Sequence, residues 1–82
     1  MAKTYFPDPN RIATLDASPP HPAGTKYKIS IGYEIWDMNR AVVKIQMEYL
    51  GRVEGRKVPS FPLGTDDFQR VTTKAEELIS NR

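Results

Sequence analysis

Between Tyr27 and Tyr49 the chain reads YKISIGYEIWDMNRAVVKIQMEY, and apolar side chains occupy the odd positions almost without interruption. Tyr27, Ile29, Ile31, Tyr33 and Ile35 alternate with Lys28, Ser30, Gly32 and Glu34. Ala41, Val43, Ile45, Met47 and Tyr49 alternate with Val42, Lys44, Gln46 and Glu48. Successive side chains of a strand point to opposite faces, so this period predicts two half-buried strands, rich in β-branched and aromatic residues. Residues paired across a hairpin share a face. Odd must therefore meet odd, which requires a loop of odd length. A type I turn over Asp37-Met38-Asn39, with Asn39 in the left-handed region, satisfies this. It sets Tyr33 opposite Val43, Ile31 opposite Ile45, Ile29 opposite Met47 and Tyr27 opposite Tyr49. On the other face Lys28 meets Glu48 and Trp36 meets Arg40. A shift by two residues, pairing Glu34 with Lys44, keeps the same parity.

The segment RVEGR, residues 52–56, predicts a second turn over Val53-Glu54-Gly55 with Gly55 at positive φ. KVPSFPL then returns as a third strand, with Phe61 opposite Met47 and Leu63 opposite Ile45. Pro59 and Pro62 cannot donate to a ladder, so this strand belongs at the sheet edge. Past Gly64 the period changes. Phe68, Val71, Ala75, Leu78 and Ile79 share a helical face, Thr65 is a candidate N-cap, and Asp66 and Asp67 suit the first turn. Asp66 stands four residues before Arg70, the favourable order for an ion pair. A helix over 66–80 is expected to cover the odd face as the second layer.

The expected fold is α+β, a three-stranded antiparallel β-meander packed on one C-terminal α-helix (β-β-β-α) over residues 25–82. Residues 1–24 contain Pro7, Pro9, Pro19, Pro20 and Pro22 and are expected to form an extended Pro-rich N-terminal arm and linker. Within them RIATLDA, residues 11–17, reads as a short extra strand, an arm or a disordered segment. The order β-β-β-α is similar to that of the small sheet-reading DNA-binding domains at the front of some phage and transposon integrases. The resemblance lies in element order alone, and it implies a sheet face laid on DNA.

Composition narrows the function classes. Eighty-two residues at 39% apolar and 27% charged suit one folded domain with a single thin core, rather than a disordered chain. The absence of cysteine removes disulfides and thiolate zinc sites. MAKTYFPDPN lacks the apolar run of a signal peptide and no stretch reaches membrane length, so a cytoplasmic location is expected. His21, the sole histidine, lies within PPHP and offers little for a metal site or a catalytic triad. GRVEGRK, residues 51–57, departs from a phosphate-binding loop. Its spacing is one residue short, an arginine intervenes, and Val58 stands where Ser or Thr is needed. No enzyme activity, cofactor or small-molecule substrate is expected.

Charge is uneven along the chain. The net value is +2, but residues 25–64 hold seven basic and four acidic side chains, against three and four in residues 65–82. The candidate interaction surface is the even face and the hairpin tips. Trp36, Val42 and Leu50 are its apolar anchors, and Lys28, Arg40, Lys44, Arg52, Arg56 and Lys57 surround them. One reading is a module for an unknown protein partner or a homodimer, using those anchors or a free strand edge. The other is binding of DNA or RNA, with the cations on phosphates and Trp36 stacking on a base. Glu34 and Glu48 interrupt the basic face and favour the protein reading. Against both stands a plainer account, in which the N-terminal segment folds over Trp36 and buries it under Phe6, Ile12 or Leu15. Small domains seldom leave a tryptophan uncovered.

Overall fold

The structure, a computed structural model, describes residues 4–80. They form a four-stranded antiparallel sheet in the order β1-β2-β3-β4, followed by one helix. The strands are β1 (Tyr5–Asp16), β2 (Thr25–Glu34), β3 (Asp37–Tyr49) and β4 (Arg52–Val53), and the helix is α1 (Asp67–Ser80). The α+β class and the C-terminal helix are as expected. The number of strands and their source are not.

Parity holds. Tyr27, Ile29, Ile31 and Met47, all odd, are buried against Val71, Ala75 and Leu78 of α1. Burying each aliphatic side chain stabilises by about 1.5–3 kcal/mol, so this cluster is the main source of stability. The register differs from the expected one by two residues. Tyr27 faces Met47, Ile29 faces Ile45, Ile31 faces Val43 and Tyr33 faces Ala41. The chain turns at Ile35-Trp36, with Glu34 paired to Asp37, and the register jump after Tyr33 leaves Met38, Asn39 and Arg40 as a bulge. A two-residue turn followed by a three-residue bulge preserves odd-to-odd pairing, as an odd loop would. Asp37 organises the bulge by accepting the Asn39 amide at 3.0 Å. Asn39 does not enter the left-handed region.

The second turn also moves. Tyr49 pairs with Arg52 across Leu50-Gly51, and both turn residues have positive φ, 50° and 82°. That is the geometry of a two-residue hairpin loop, which glycine enters without steric penalty. The predicted loop Val53-Glu54-Gly55 instead continues outward, where the Glu54 amide donates to the Met47 carbonyl at 2.9 Å. KVPSFPL forms no strand. Phe61 stacks on Tyr27 with ring centroids 5.1 Å apart, and Leu63 is 99% exposed rather than facing Ile45. Prolines that forbid a ladder also leave this segment free to lie across the end of the core.

The largest correction concerns the N-terminus. Where an extended Pro-rich arm was expected, with a short extra strand over residues 11–17 as one alternative, Tyr5–Asp16 forms β1 beside β2. Leu15 faces Tyr27 and Ala13 faces Ile29, on the covered side. The register jumps between Pro7 and Ile12. In that excursion the Asp8 carboxylate accepts the Asn10 amide at 2.9 Å and meets the Arg11 guanidinium at 3.2 Å. Beyond the jump Phe6 faces Tyr33 and Tyr5 faces Glu34, so parity inverts within one strand. Tyr5 crosses the outer face over Gly32. A Cβ at Gly32 would lie 2.5 Å from the Phe6 carbonyl oxygen and 2.9 Å from the Tyr5 ring. Only glycine admits so close a backbone.

Candidate interaction surface

The position of α1 decides what the sheet exposes, and a buried carboxylate fixes that position. Asp67, at the first turn of α1, has no exposed surface. It accepts hydrogen bonds from the Ser18 amide at 2.8 Å, from the Ser18 hydroxyl, from the Tyr27 hydroxyl at 2.8 Å and from the Arg70 guanidinium at 2.8 Å. Burial by itself would raise the Asp67 pKa. The donors from Ser18, Tyr27 and Arg70 outweigh it and hold the carboxyl well below the usual carboxylate range. Burial first, and then the bond to Asp67, pushes the Tyr27 phenol well above its ordinary value. Arg70 also pairs with Asp66 at 3.0 Å, the expected four-residue pair, and donates to the Asp16 carbonyl at 3.1 Å. These bonds fasten the start of α1 to the β1–β2 connection. The helix therefore lies over β2 and β1.

The consequence appears on β3. Its odd residues share the face that is buried in β2, yet Ala41 is exposed and Val43 is 43% exposed. Beside them Ile79, on the expected apolar face of α1, is 47% exposed. Ile31, Ala41, Val43 and Ile79 line an open groove of about 910 Å³, with Asp8 and Arg11 at its rim.

The outer edge of β3 is open next to this groove. Because the Met47 carbonyl accepts the Glu54 amide, odd residues of β3 direct their N–H and C=O groups away from β2, since these groups alternate along a strand. The amides and carbonyls of Ala41, Val43 and Ile45 thus point outward. Among the described residues β4 covers this edge only from Glu48 to Tyr49, and Glu54 extends the cover to Met47. Two features lie side by side here: an unpaired run of backbone and an apolar floor.

The predicted anchors lie apart from one another. Trp36 is 76% exposed in the β2–β3 turn, beside Ile35 and Met38 at 53% and 50%. Neither Phe6, Ile12 nor Leu15 covers it, because β1 lies beside β2 instead of over that tip. Leu50 is 70% exposed at the opposite hairpin. Val42 faces Gly32 on the outer side of the sheet. Of the six predicted cations, Arg40 and Lys44 have an acid neighbour. Lys44 pairs with Glu34 and sits 4.2 Å from the centre of the Tyr5 ring, whose hydroxyl meets that of Ser30 at 2.8 Å. Arg40 is 3.6 Å from Asp37, and Lys26 is 3.3 Å from Asp16. Lys28 faces Gln46, while Arg52, Arg56 and Lys57 are exposed around the far hairpin.

Sequence reasoning missed the Asp67 lock and the groove. Asp67 has the pattern of an ordinary helix-start acid, and nothing local ties it to Ser18 or Tyr27. Ala41 and Val43 were recognised as apolar-face residues, but no local signal tells which strand the helix covers. Among the described residues no group of three or more His, Cys, Asp or Glu side chains is placed to hold a metal ion, and no helix is long and apolar enough to cross a membrane. No protein-family model, curated protein or solved structure matches this chain.

Proposed function

We propose that this protein is a non-catalytic binding module that takes up a protein strand along the free edge of β3. The observation carrying this reading is the coincidence of outward amides and carbonyls at Ala41, Val43 and Ile45 with the apolar groove beneath them. An added strand would complete the hydrogen bonds of the edge, and its alternate side chains would enter the groove, giving affinity and selectivity together. Edge strands that avoid such pairing are usually short, bulged, proline-bearing or charged. The stretch Ala41–Ile45 has no proline and a single charge, Lys44, which is paired with Glu34, and the bulge at Met38–Arg40 lies outside it. The nucleic-acid reading draws less support, because Lys26, Arg40 and Lys44 each have a carboxylate neighbour that offsets their attraction for phosphate.

The test uses proline as a selective blocker. The Val43 amide points outward, so Val43→Pro removes an edge donor and no bond to β2. Extended peptides selected from a random library against the whole chain should bind it and lose binding to Val43→Pro, with circular dichroism unchanged. Binders indifferent to Val43→Pro would overturn the edge as the binding element.

A further inference from the structure

Resting on that reading of the β3 edge, we infer that the strand it takes up is β3 of a second copy, antiparallel, with Val43 opposite Val43 of the partner copy. The charge pattern and the position of β4 favour this register over its two neighbours, and the bulge at Met38–Arg40 interrupts one centred on Ala41. Pairing centred on Val42 would set Arg40 directly against Lys44 twice, and like charges directly opposite destabilise a sheet. Pairing centred on Lys44 would place that lysine against itself. It would also bring Ala41 opposite Met47, whose carbonyl is already taken by the Glu54 amide. Centring on Val43 sets Ala41 against Ile45, Val42 against Lys44 and Arg40 against Gln46, with no like charges facing. The paired stretch, residues 40–46, has the bulge residue Arg40 at one end and stops at the other where the Glu54–Met47 bond begins.

This arrangement has a two-fold axis perpendicular to the sheet, midway between the two Val43 residues. The four strands of each copy join into one continuous sheet, with both helices on the same side. The interface is isologous, the commonest kind in homo-oligomers. Val43, exposed in one copy, then lies at the centre of the joined sheet, and the two grooves open onto each other across the axis.

The chain has no cysteine, so single cysteines report the register directly. Val43 and its mate form a hydrogen-bonded antiparallel pair with Cα atoms about 5.5 Å apart, within disulfide range. Under oxidised glutathione, Val43→Cys should form a covalent dimer at least about tenfold faster than Val42→Cys or Lys44→Cys. It should exceed Thr73→Cys, on the exposed helix face, by the same margin. Because Lys44→Cys loses the partner of a buried glutamate, Val42→Cys supplies the alternative register if that variant fails to fold. Independently, Val43→Glu and Val43→Lys should each sediment as monomers, and an equal mixture should associate. Faster trapping at position 42 or 44, or all positions matching Thr73→Cys, overturns the inference. A monomeric chain that still binds library peptides in a manner sensitive to Val43→Pro overturns self-pairing alone. Self-association indifferent to Val43→Pro also overturns this inference, and the edge reading falls only if the library binders are indifferent to Val43→Pro as well.

Discussion

Ile29 and Val43 are β-branched residues at odd positions on adjacent strands, facing the same side of the sheet. Ile29 is fully buried and Val43 is 43% exposed. Part of the difference is that β2 is paired on both sides, whereas β3 has an open edge at Val43. The rest comes from α1, which is bound through Asp67 to Ser18 and Tyr27 at the β1–β2 end and so covers one half of an apolar face. Alternation determines which side of the sheet a residue takes. The point of attachment of the second layer determines whether that side is dry.

If that contrast is right, breaking the attachment should have the largest effect. Asp67→Ala removes the acceptor shared by the half-buried Ser18 donors, Tyr27 and Arg70. It leaves Tyr27 the Ser60 carbonyl and Arg70 its bonds to Asp66 and Asp16, and should cost about 3 kcal/mol in denaturant titration. A loss below about 1 kcal/mol would mean that α1 is held by packing alone. The same lock sets a pH window. The Asp67 carboxyl ionises more readily in the fold than in the unfolded chain, so its stabilisation is present at neutral pH and declines as pH falls below about 4. The Tyr27 phenol is harder to ionise in the fold, so its contribution is complete below about pH 10 and is lost as pH rises further. Asp67→Ala should flatten the acid limb of a melting-temperature profile, and an unaltered limb would remove Asp67 from the account.

The next effect belongs to β1. Gly32→Ala drives a Cβ into the Phe6 carbonyl and the Pro7 backbone, and should cost about 1–3 kcal/mol while loosening the Tyr5 end of β1. Hydrogen exchange should quicken at the Ile35 amide, which donates to the Thr4 carbonyl at 2.9 Å. An unchanged rate there would show that this part of β1 does not depend on the close approach.

On the open side the effects should be smaller and should alternate along the strand. Val43→Pro should lower stability by no more than about 1 kcal/mol, because the missing donor faces outward. Lys44→Pro removes a ladder bond towards Ser30 and leaves Glu34 without its cation, and should cost clearly more, about 2 kcal/mol or above. Equal losses from the two would mean that the assigned edge direction is wrong. Smallest of all, Trp36→Ala should change stability by less than about 0.5 kcal/mol, with the wild-type fluorescence fully open to a soluble quencher. A large loss would place Trp36 in the core, contrary to its 76% exposure.

The expectations that succeeded and failed divide along the same line. Alternation from Tyr27 to Tyr49 was enough to identify two strands and their inner side, because a face is a local property. It could not choose among registers two residues apart, since all of them keep odd against odd. The turn at Ile35-Trp36 has no glycine, proline or asparagine, so Asp37-Met38-Asn39 offered the stronger local signal. The second turn was expected at Gly55, but positive φ falls at Leu50 and Gly51, and a glycine at either place satisfies the local pattern. β1 was obscured because its parity inverts across the excursion at residues 8–11, so no single period runs through it. Of the predicted site residues, Lys44 proved to be neutralised by Glu34, and Trp36 proved to be solvent-exposed at a tip.

By itself, the amino-acid order of this chain determined the inward and outward sides of β2 and β3, the helix near the C-terminus and its apolar stripe. Each follows from dihedral geometry acting over a few residues. Tertiary structure alone decided that β1 joins the sheet, that Asp67 is buried, and that the helix leaves Ala41 and Val43 of β3 uncovered. Those outcomes depend on Asp67 meeting Ser18 and Tyr27, 49 and 40 residues away in the chain, and no local period encodes a contact over that distance.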